Sequence, residues 1–315
     1  MLKIPVLIGL SGAALLTAVG LLANWLPFLD LINNGLPLLI SGCLLLLALA
    51  LVSRGRFLIA AATLLAVING AVLFAALREA APAAASESSR LMRVTTFNLS
   101  SRNDRMEDVA KFLAASDSDV IVLEETTRAH LAKLRQALGS RYPHIVGDWS
   151  IVILSKHPIL AEGRADPEGY PPWVSPMARW ARIKVKGVAV EIAGVHLARP
   201  FHPALQDQDY AALTAFVRSR DLPLVVAGDF NATPWTVKFV DLTRTTGLAP
   251  HNTLYPTWPM ELRDIPVMPL VPTDNIATSR EFTALGAQAG PRLGSDHRPF
   301  IADIALSEPR PSSAK

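Results

Sequence analysis

Cysteine is almost absent from this 315-residue chain: the single example, Cys43, lies in an apolar run, so neither a disulfide framework nor a thiolate metal site can be built within it. Any metal must therefore be held by carboxylates, amides and imidazoles. Charge is also scarce near the N-terminus. Of 30 Lys and Arg, only Lys3, Arg54, Arg56, Arg78 and Arg90 fall in the first ninety residues, and of 27 Asp and Glu, only Asp30, Glu79 and Glu87. The remainder holds 25 basic against 24 acidic residues, a balance that speaks against strong non-specific binding to nucleic acid, which needs a basic face. No internal repeat and no long charge run interrupts it.

The charge-poor N-terminal region has membrane composition. Ile4 to Leu29, Leu36 to Val52 and Phe57 to Leu77 are apolar, each near the roughly 20 residues a helix needs to cross the hydrocarbon core. A cleavable signal peptide would have an apolar core of only about 7–15 residues and no further spans behind it. Lys3 precedes the first segment, Asp30, Asn33 and Asn34 fill the first loop, and Arg54 and Arg56 fill the second. The positive-inside rule places Lys3 and the two arginines in the cytoplasm, so three transmembrane helices deliver everything after Leu77 to the outside. The expected organisation is a membrane domain over 1–79 that meets the lipid bilayer through 4–77, a small-residue linker over 80–90, a globular domain over 91–308 and a tail over 309–315.

Beyond the linker, strand-like runs alternate with helical periodicities. Strands are expected at Leu91 to Asn98, Asp119 to Glu125, Ser150 to Ser155, Arg179 to Lys186, Val188 to His196, Leu224 to Asp229, Thr273 to Thr278 and His297 to Ile304. Helices are expected at Arg105 to Ala115, Thr127 to Leu138, His202 to Ser219 and Thr236 to Thr245. This alternation predicts an α/β fold with a two-layered sheet core flanked by helices.

The ends of these strands collect polar groups: Asn98, Glu124-Glu125, His196, Asp229-Phe230-Asn231, and later Asp274-Asn275 and Ser295-Asp296-His297. A strand end holds its backbone rigid while the turn exposes side chains. Oxygen ligands with imidazoles suit a hard divalent cation, Mg²⁺ or Mn²⁺, acting on a phosphate ester.

In that order, Thr96-Phe-Asn98, Asp119-Val-Ile-Val-Leu-Glu-Glu-Thr126, Ile153-Leu-Ser-Lys-His-Pro-Ile159, Gly194-Val-His-Leu197, Gly228-Asp-Phe-Asn-Ala-Thr-Pro-Trp235 and Gly294-Ser-Asp-His-Arg-Pro299 resemble the endonuclease/exonuclease/phosphatase superfamily, the DNase-I-like fold. The resemblance runs from about Met92 to Ala305 and points to a bacterial-type, membrane-anchored member. It implies a four-layered α/β sandwich, two packed β-sheets flanked by helices, here preceded by three transmembrane helices. It also implies a metal site at Glu125 and Asn98 with Asp296 nearby, and Glu124, where relatives often have Gln, as a supporting or rim carboxylate. By the same resemblance Asp229 and Asn231 orient water and phosphate oxygens, His297 sits over the phosphate with Asp274 orienting it, and His196 donates a further hydrogen bond. Two candidates for the proton acceptor follow, Asp229 and His297. Where relatives follow the orienting Asp with His or Tyr, this chain has Asn275 and Ile276.

Arg199 and His202, just past His196, are candidates for the substrate rim, and Trp149, Trp173, Trp235 and Trp258 for cleft walls, whereas His130, His144, His157 and His251 read as structural or solvent-facing. The expected activity is that of a membrane-anchored, Mg²⁺- or Mn²⁺-dependent phosphoesterase, with a lipid or nucleotide among the candidate substrates. The alternatives are an endonuclease on DNA or RNA, which the charge balance does not favour, and a non-catalytic membrane-tethered binding module.

Overall fold

The computed structural model describes residues 2–79, 91–170, 177–262 and 265–306. The linker expected over 80–90, Trp173 and the tail over 309–315 lie outside the described residues.

Three long apolar helices come first: α1 (Lys3–Leu22), α2 (Leu36–Ser53) and α3 (Arg56–Glu79). All three are long and apolar enough to cross a membrane, with mean hydropathies of 2.1, 2.5 and 2.4 over their spans. The first expected span, Ile4 to Leu29, is shorter than its apolar run. After Leu22 the α-helix gives way to a 3₁₀ segment, Pro27–Gly35, that Pro27 opens and that buries Asp30 and Asn33.

The rest of the chain runs β1 (Met92–Asn98), α4 (Met106–Ser116), β2 (Val120–Thr126), α5 (Arg128–Leu138), β3 (His144–Val146), β4 (Ser150–Ser155), β5 (Ile159–Arg164), β6 (Ala178–Val185), β7 (Val188–His196), α6 (Pro203–Arg218), β8 (Leu224–Asp229), α7 (Val237–Thr246), β9 (Ala249–Pro250), β10 (Glu261–Leu262), β11 (Ile265–Pro266), β12 (Asp274–Thr278), β13 (Phe282–Ala289) and β14 (Phe300–Leu306). Two six-stranded mixed sheets result, ordered β13-β14-β1-β2-β4-β3 and β5-β6-β7-β8-β12-β9, with β10 and β11 as a separate hairpin.

The sheets pack face to face through Val94, Val122, Ile153, Ile192, Val225, Ile276 and Phe300, all fully buried. Helices α4 and α5 cover the first sheet through Val109, Leu113, Leu131 and Leu134, and α6 and α7 cover the second through Leu213, Phe216, Phe239 and Leu242. This is the four-layered α/β sandwich expected of the sequence. The last strand begins at Phe300 rather than at His297, because Gly294 to Arg298 forms a loop.

Parallel pairing occurs at β1–β2 and β7–β8, each the central pair of its sheet. These pairs bring the carboxyl ends of four strands to one end of the sandwich, where open α/β sheets present their ligand sites.

Candidate active site

Register assembles the polar strand ends. Asn98 lies opposite Glu124 on β1 and β2, His196 opposite Asp229 on β7 and β8, and Asp274 opposite Asp229 on β12 and β8. Two residues break regular geometry there. Glu125 has φ 49° in a bulge between Leu123 and Thr126 of β2, and Asn231 has φ 49° in the turn after β8. Positive φ at non-glycine residues is costly and collects at working sites, and a bulge re-aims a side chain. At Gly228, φ is +150° and an added Cβ would lie 1.9 Å from the Val195 carbonyl oxygen, so only glycine permits β7 and β8 to approach beside the site.

The centre is crowded with acids. The Asn98 amide nitrogen lies 3.4 Å from Glu125 Oε1 and 3.3 Å from Asp229 Oδ2, joining two carboxylates from different sheets. His196 Nε2 stands 3.9 Å from the same two oxygens. His297 Nδ1 pairs with Asp274 Oδ2 at 2.8 Å, and its Nε2 faces Asp229 Oδ2 at 3.7 Å. Ser295 locks this loop to β1: its hydroxyl donates to the Asn98 carbonyl at 2.7 Å and accepts from the His297 amide at 3.0 Å. The Asn231 turn is fixed by its amide on Asp229 Oδ1 and by its side-chain nitrogen on the Leu197 carbonyl.

Electrostatics follow from burial. Desolvation raises Asp229, with the Asp274 charge adding to it and His297 and His196 opposing. Glu124 is fully buried; desolvation and Asp274 lift it well above the usual carboxylate range despite the Thr96 hydroxyl bonded to it. It is thus an interior acid behind the site. Burial also opposes ionisation of Glu125, but His196, the Asn98 amide, the Ser101 N–H and Arg199 together hold it below its ordinary value. At His297 burial works against the charge, yet Asp274, Asp229 and Asp296 overcome it and push the imidazole up to about 10.

Of the expected site residues, Asn98, Glu125, His196, Asp229, Asn231, Asp274 and His297 therefore meet at one end of the sandwich. Arg199 joins them from the rim, largely exposed, with Nη2 at 3.3 Å from Glu125 Oε1. Asp296 points elsewhere: its carboxylate accepts from Trp258 Nε1 at 3.3 Å. His202 is exposed just before α6, and none of the described site contacts involves it. Ser295 and Thr96, both buried supports, stand within the quoted motifs, but nothing in the sequence announces the bonds they make.

These side chains suit a divalent cation. Glu125 Oε1 and Asp229 Oδ2 converge on the Asn98 side chain at 3.4 and 3.3 Å, an oxygen-rich donor set of the kind such a cation takes, while His297 is committed to Asp274. Beside Glu125 and His196 a cleft of about 390 Å³ opens, walled by Ser101, Thr127, Arg128 and Trp149. His130 instead closes the N-terminal capping box of α5, and His251 is buried against the Thr278 hydroxyl, as structural residues do. Trp235 packs under the membrane helices rather than on the cleft.

The chain matches the Endonuclease/Exonuclease/phosphatase family over residues 95–297, a stretch that contains every residue of this cluster. No curated protein matches it in sequence. Among solved structures, an endonuclease/exonuclease/phosphatase of Beutenbergia cavernae superposes with a TM-score of 0.54 at 20% identity, covering 69% of this chain and 72% of that one. A mannosyl-6-phosphatase of Bacteroides thetaiotaomicron gives 0.55 at 16% identity over 68% of this chain and 100% of its own. The beta toxin of Staphylococcus aureus, in a form with bound magnesium ions, gives 0.52 at 15% over 68% and 99%.

Proposed function

Because the chain belongs to the endonuclease/exonuclease/phosphatase family, we propose that it is a membrane-anchored, Mg²⁺- or Mn²⁺-dependent phosphoesterase that hydrolyses its substrate by in-line attack of water. The observation that carries this reading is the meeting of Asn98, Glu125, His196, Asp229, Asn231, Asp274 and His297 in one cluster, drawn from both sheets, with Asp229, Asp274 and His297 buried and Glu125, His196 and Asn231 half-buried at its mouth.

Glu125 and Asn98 would hold the cation, with Asp229 within reach and Asp296 in the adjoining loop. When bound, the metal supplies positive charge that polarises the phosphoryl group. The remaining work belongs to the chain's own groups. Asp229, with its raised proton affinity, accepts the proton of the attacking water. His297, kept protonated by Asp274, donates to a non-bridging oxygen as negative charge grows there, and His196 and the Asn231 amide add fixed donors. Arg199 and Arg128 place positive charge at the mouth.

Three helices fit for membrane crossing support anchorage. The three-span arrangement is supported by a second feature: the loop Pro27–Gly35, which three spans put on the same side as the globular part, hydrogen-bonds to it, while Lys3, Arg54 and Arg56 on the opposite side support an outward orientation. A phosphatase fused to the C-terminus should be active only when exported.

Near-neutral charge and a small cleft favour a compact phosphate ester, lipid-borne or nucleotide, over duplex DNA. The full-length protein in detergent, screened in parallel on nucleotides, phospholipids and nucleic acids, tests this. Turnover confined to nucleic acid would establish the nuclease alternative, and no turnover of any phosphoester would establish the binding module.

A further inference from the structure

Helix α7 begins with an unmet need. The first amides of a helix have no partner within it and are met by a side-chain cap. Here the N-cap residue, Thr236, makes no capping bond; its hydroxyl donates instead to the Thr233 carbonyl at 2.8 Å. The amides of Val237 and Lys238 donate to the two oxygens of Asp30, at 3.0 and 3.1 Å, from a loop 207 residues upstream between the first two membrane helices. A carboxylate at a helix N-terminus also meets the favourable end of the helix dipole.

Asp30 is 3% exposed and is itself fixed by the Asn33 side-chain amide at 2.8 Å. That amide also reaches the Gly20 carbonyl of α1, where an added Cβ would fall 2.5 Å from Asn33 Oδ1. Two further bonds engage the same turn: the Thr233 amide donates to Asn34 Oδ1 at 3.0 Å, and Trp235 Nε1 donates to the Asn33 carbonyl at 2.9 Å. Four hydrogen bonds thus seat residues 233–238 on the membrane loop, and this turn leaves β8 directly after Asp229 and Asn231. On its other side the Asn231 carbonyl accepts from Gln206, and Lys238 pairs with Asp207, so α6 is drawn into the same frame.

We propose that the loop Pro27–Gly35 is a positioning element of the active site: Asp30 caps α7 from the membrane side, Asn34 fixes Thr233, and together they set the turn that presents Asp229 and Asn231. This rests on the reading of those two residues as site groups. The strained φ of Asn231 gives the dock something to hold, because a residue in that conformation persists only where its surroundings over-determine it. Asp30 touches no reacting atom; it acts through α7 and the turn.

The test uses the full chain in detergent, with Asp30→Ala, Asp30→Asn and Asn34→Ala, read by residue-resolved hydrogen exchange and by kcat and KM on bis-p-nitrophenyl phosphate with Mg²⁺. Asp30→Ala should speed exchange at Val237, Lys238 and Asn231 by at least about tenfold, since bonds to a charged acceptor are lost. It should lower kcat by about tenfold with KM within twofold, and leave exchange in β1 unchanged. Asp30→Asn keeps only one of the two acceptor oxygens and should recover part of each effect, falling between the parent and Asp30→Ala. Asn34→Ala should shift the same amides less, and decides the matter if Asp30→Ala does not fold. Faster exchange at Val237 and Lys238 with Asn231 and kcat unmoved would reduce the loop to a structural cap and overturn the proposal, as would no change at any of the three. Should the parent hydrolyse no phosphoester, the catalytic reading falls, and exchange at Asn231 alone decides whether the loop sets the turn.

Discussion

Replacing Asp274 by Asn alters one charge at the heart of the site and little else. The carboxylate is fully buried, and its Oδ2 takes the His297 Nδ1 hydrogen at 2.8 Å. Among the groups that raise His297, Asp274 contributes most. Asparagine preserves shape and still offers an oxygen to that imidazole, so the loss is the charge-assisted part of one hydrogen bond. Bonds to a charged group contribute about 1.5–3 kcal/mol against about 0.5–1.5 kcal/mol for neutral ones, so about 1–1.5 kcal/mol is lost, which converts to a fall of about five- to thirteenfold in rate. Because the imidazolium matters most as negative charge grows on the phosphoryl oxygens, kcat should carry the fall while KM stays near its parental value. Initial rates of bis-p-nitrophenyl phosphate hydrolysis at saturating Mg²⁺, on full-length protein in detergent, measure it. A variant within threefold of the parent in kcat would refute the assignment of Asp274 and His297 as a working pair.

Other substitutions probe different links. Gly228→Ala must part β7 from β8 against the Val195 backbone, which should cost at least about 3 kcal/mol in urea unfolding and abolish turnover. Glu125→Gln should raise the Mg²⁺ concentration for half-maximal rate at least about tenfold, measured by metal titration. His251, buried against the Thr278 hydroxyl, is held down to about 4 by desolvation, below its unfolded value of 6.5. The unfolded chain therefore binds this proton first, and stability should fall as pH drops from about 6.5 to about 4, by up to about 3 kcal/mol. In His251→Gln that share of the acid slope should vanish from urea midpoints taken across the window, and an unchanged slope would contradict it.

The parts of this molecule that were legible in the sequence share one property: each is local. The apolar runs of β1, β2, β7 and β8 announce buried strands, and the polar residues closing them announce the site. Strand β13 escapes because Phe282–Ala289 is rich in Ala, Gly and Gln, without the branched apolar alternation of its neighbours. The bulge at Glu125 depends on two residues of β2 slipping against β4, which no window of sequence encodes. Asp296 follows its motif in sequence, yet its carboxylate is taken by Trp258, whose position is fixed by tertiary packing. The role of Asp30 is hidden for the same reason: Asp-Leu-Ile-Asn-Asn reads as a polar loop until the fold brings α7 above it.

The central claim is that the cluster around Asp229 and His297 is a metal-dependent phosphoesterase site. The most direct test is the rate of bis-p-nitrophenyl phosphate hydrolysis by the full-length protein after EDTA, and again after Mg²⁺ or Mn²⁺ is restored. The account predicts turnover that EDTA abolishes, that either metal returns, and that His297→Ala lowers by at least about a hundredfold. Turnover indifferent to EDTA, or equal in His297→Ala, would contradict it.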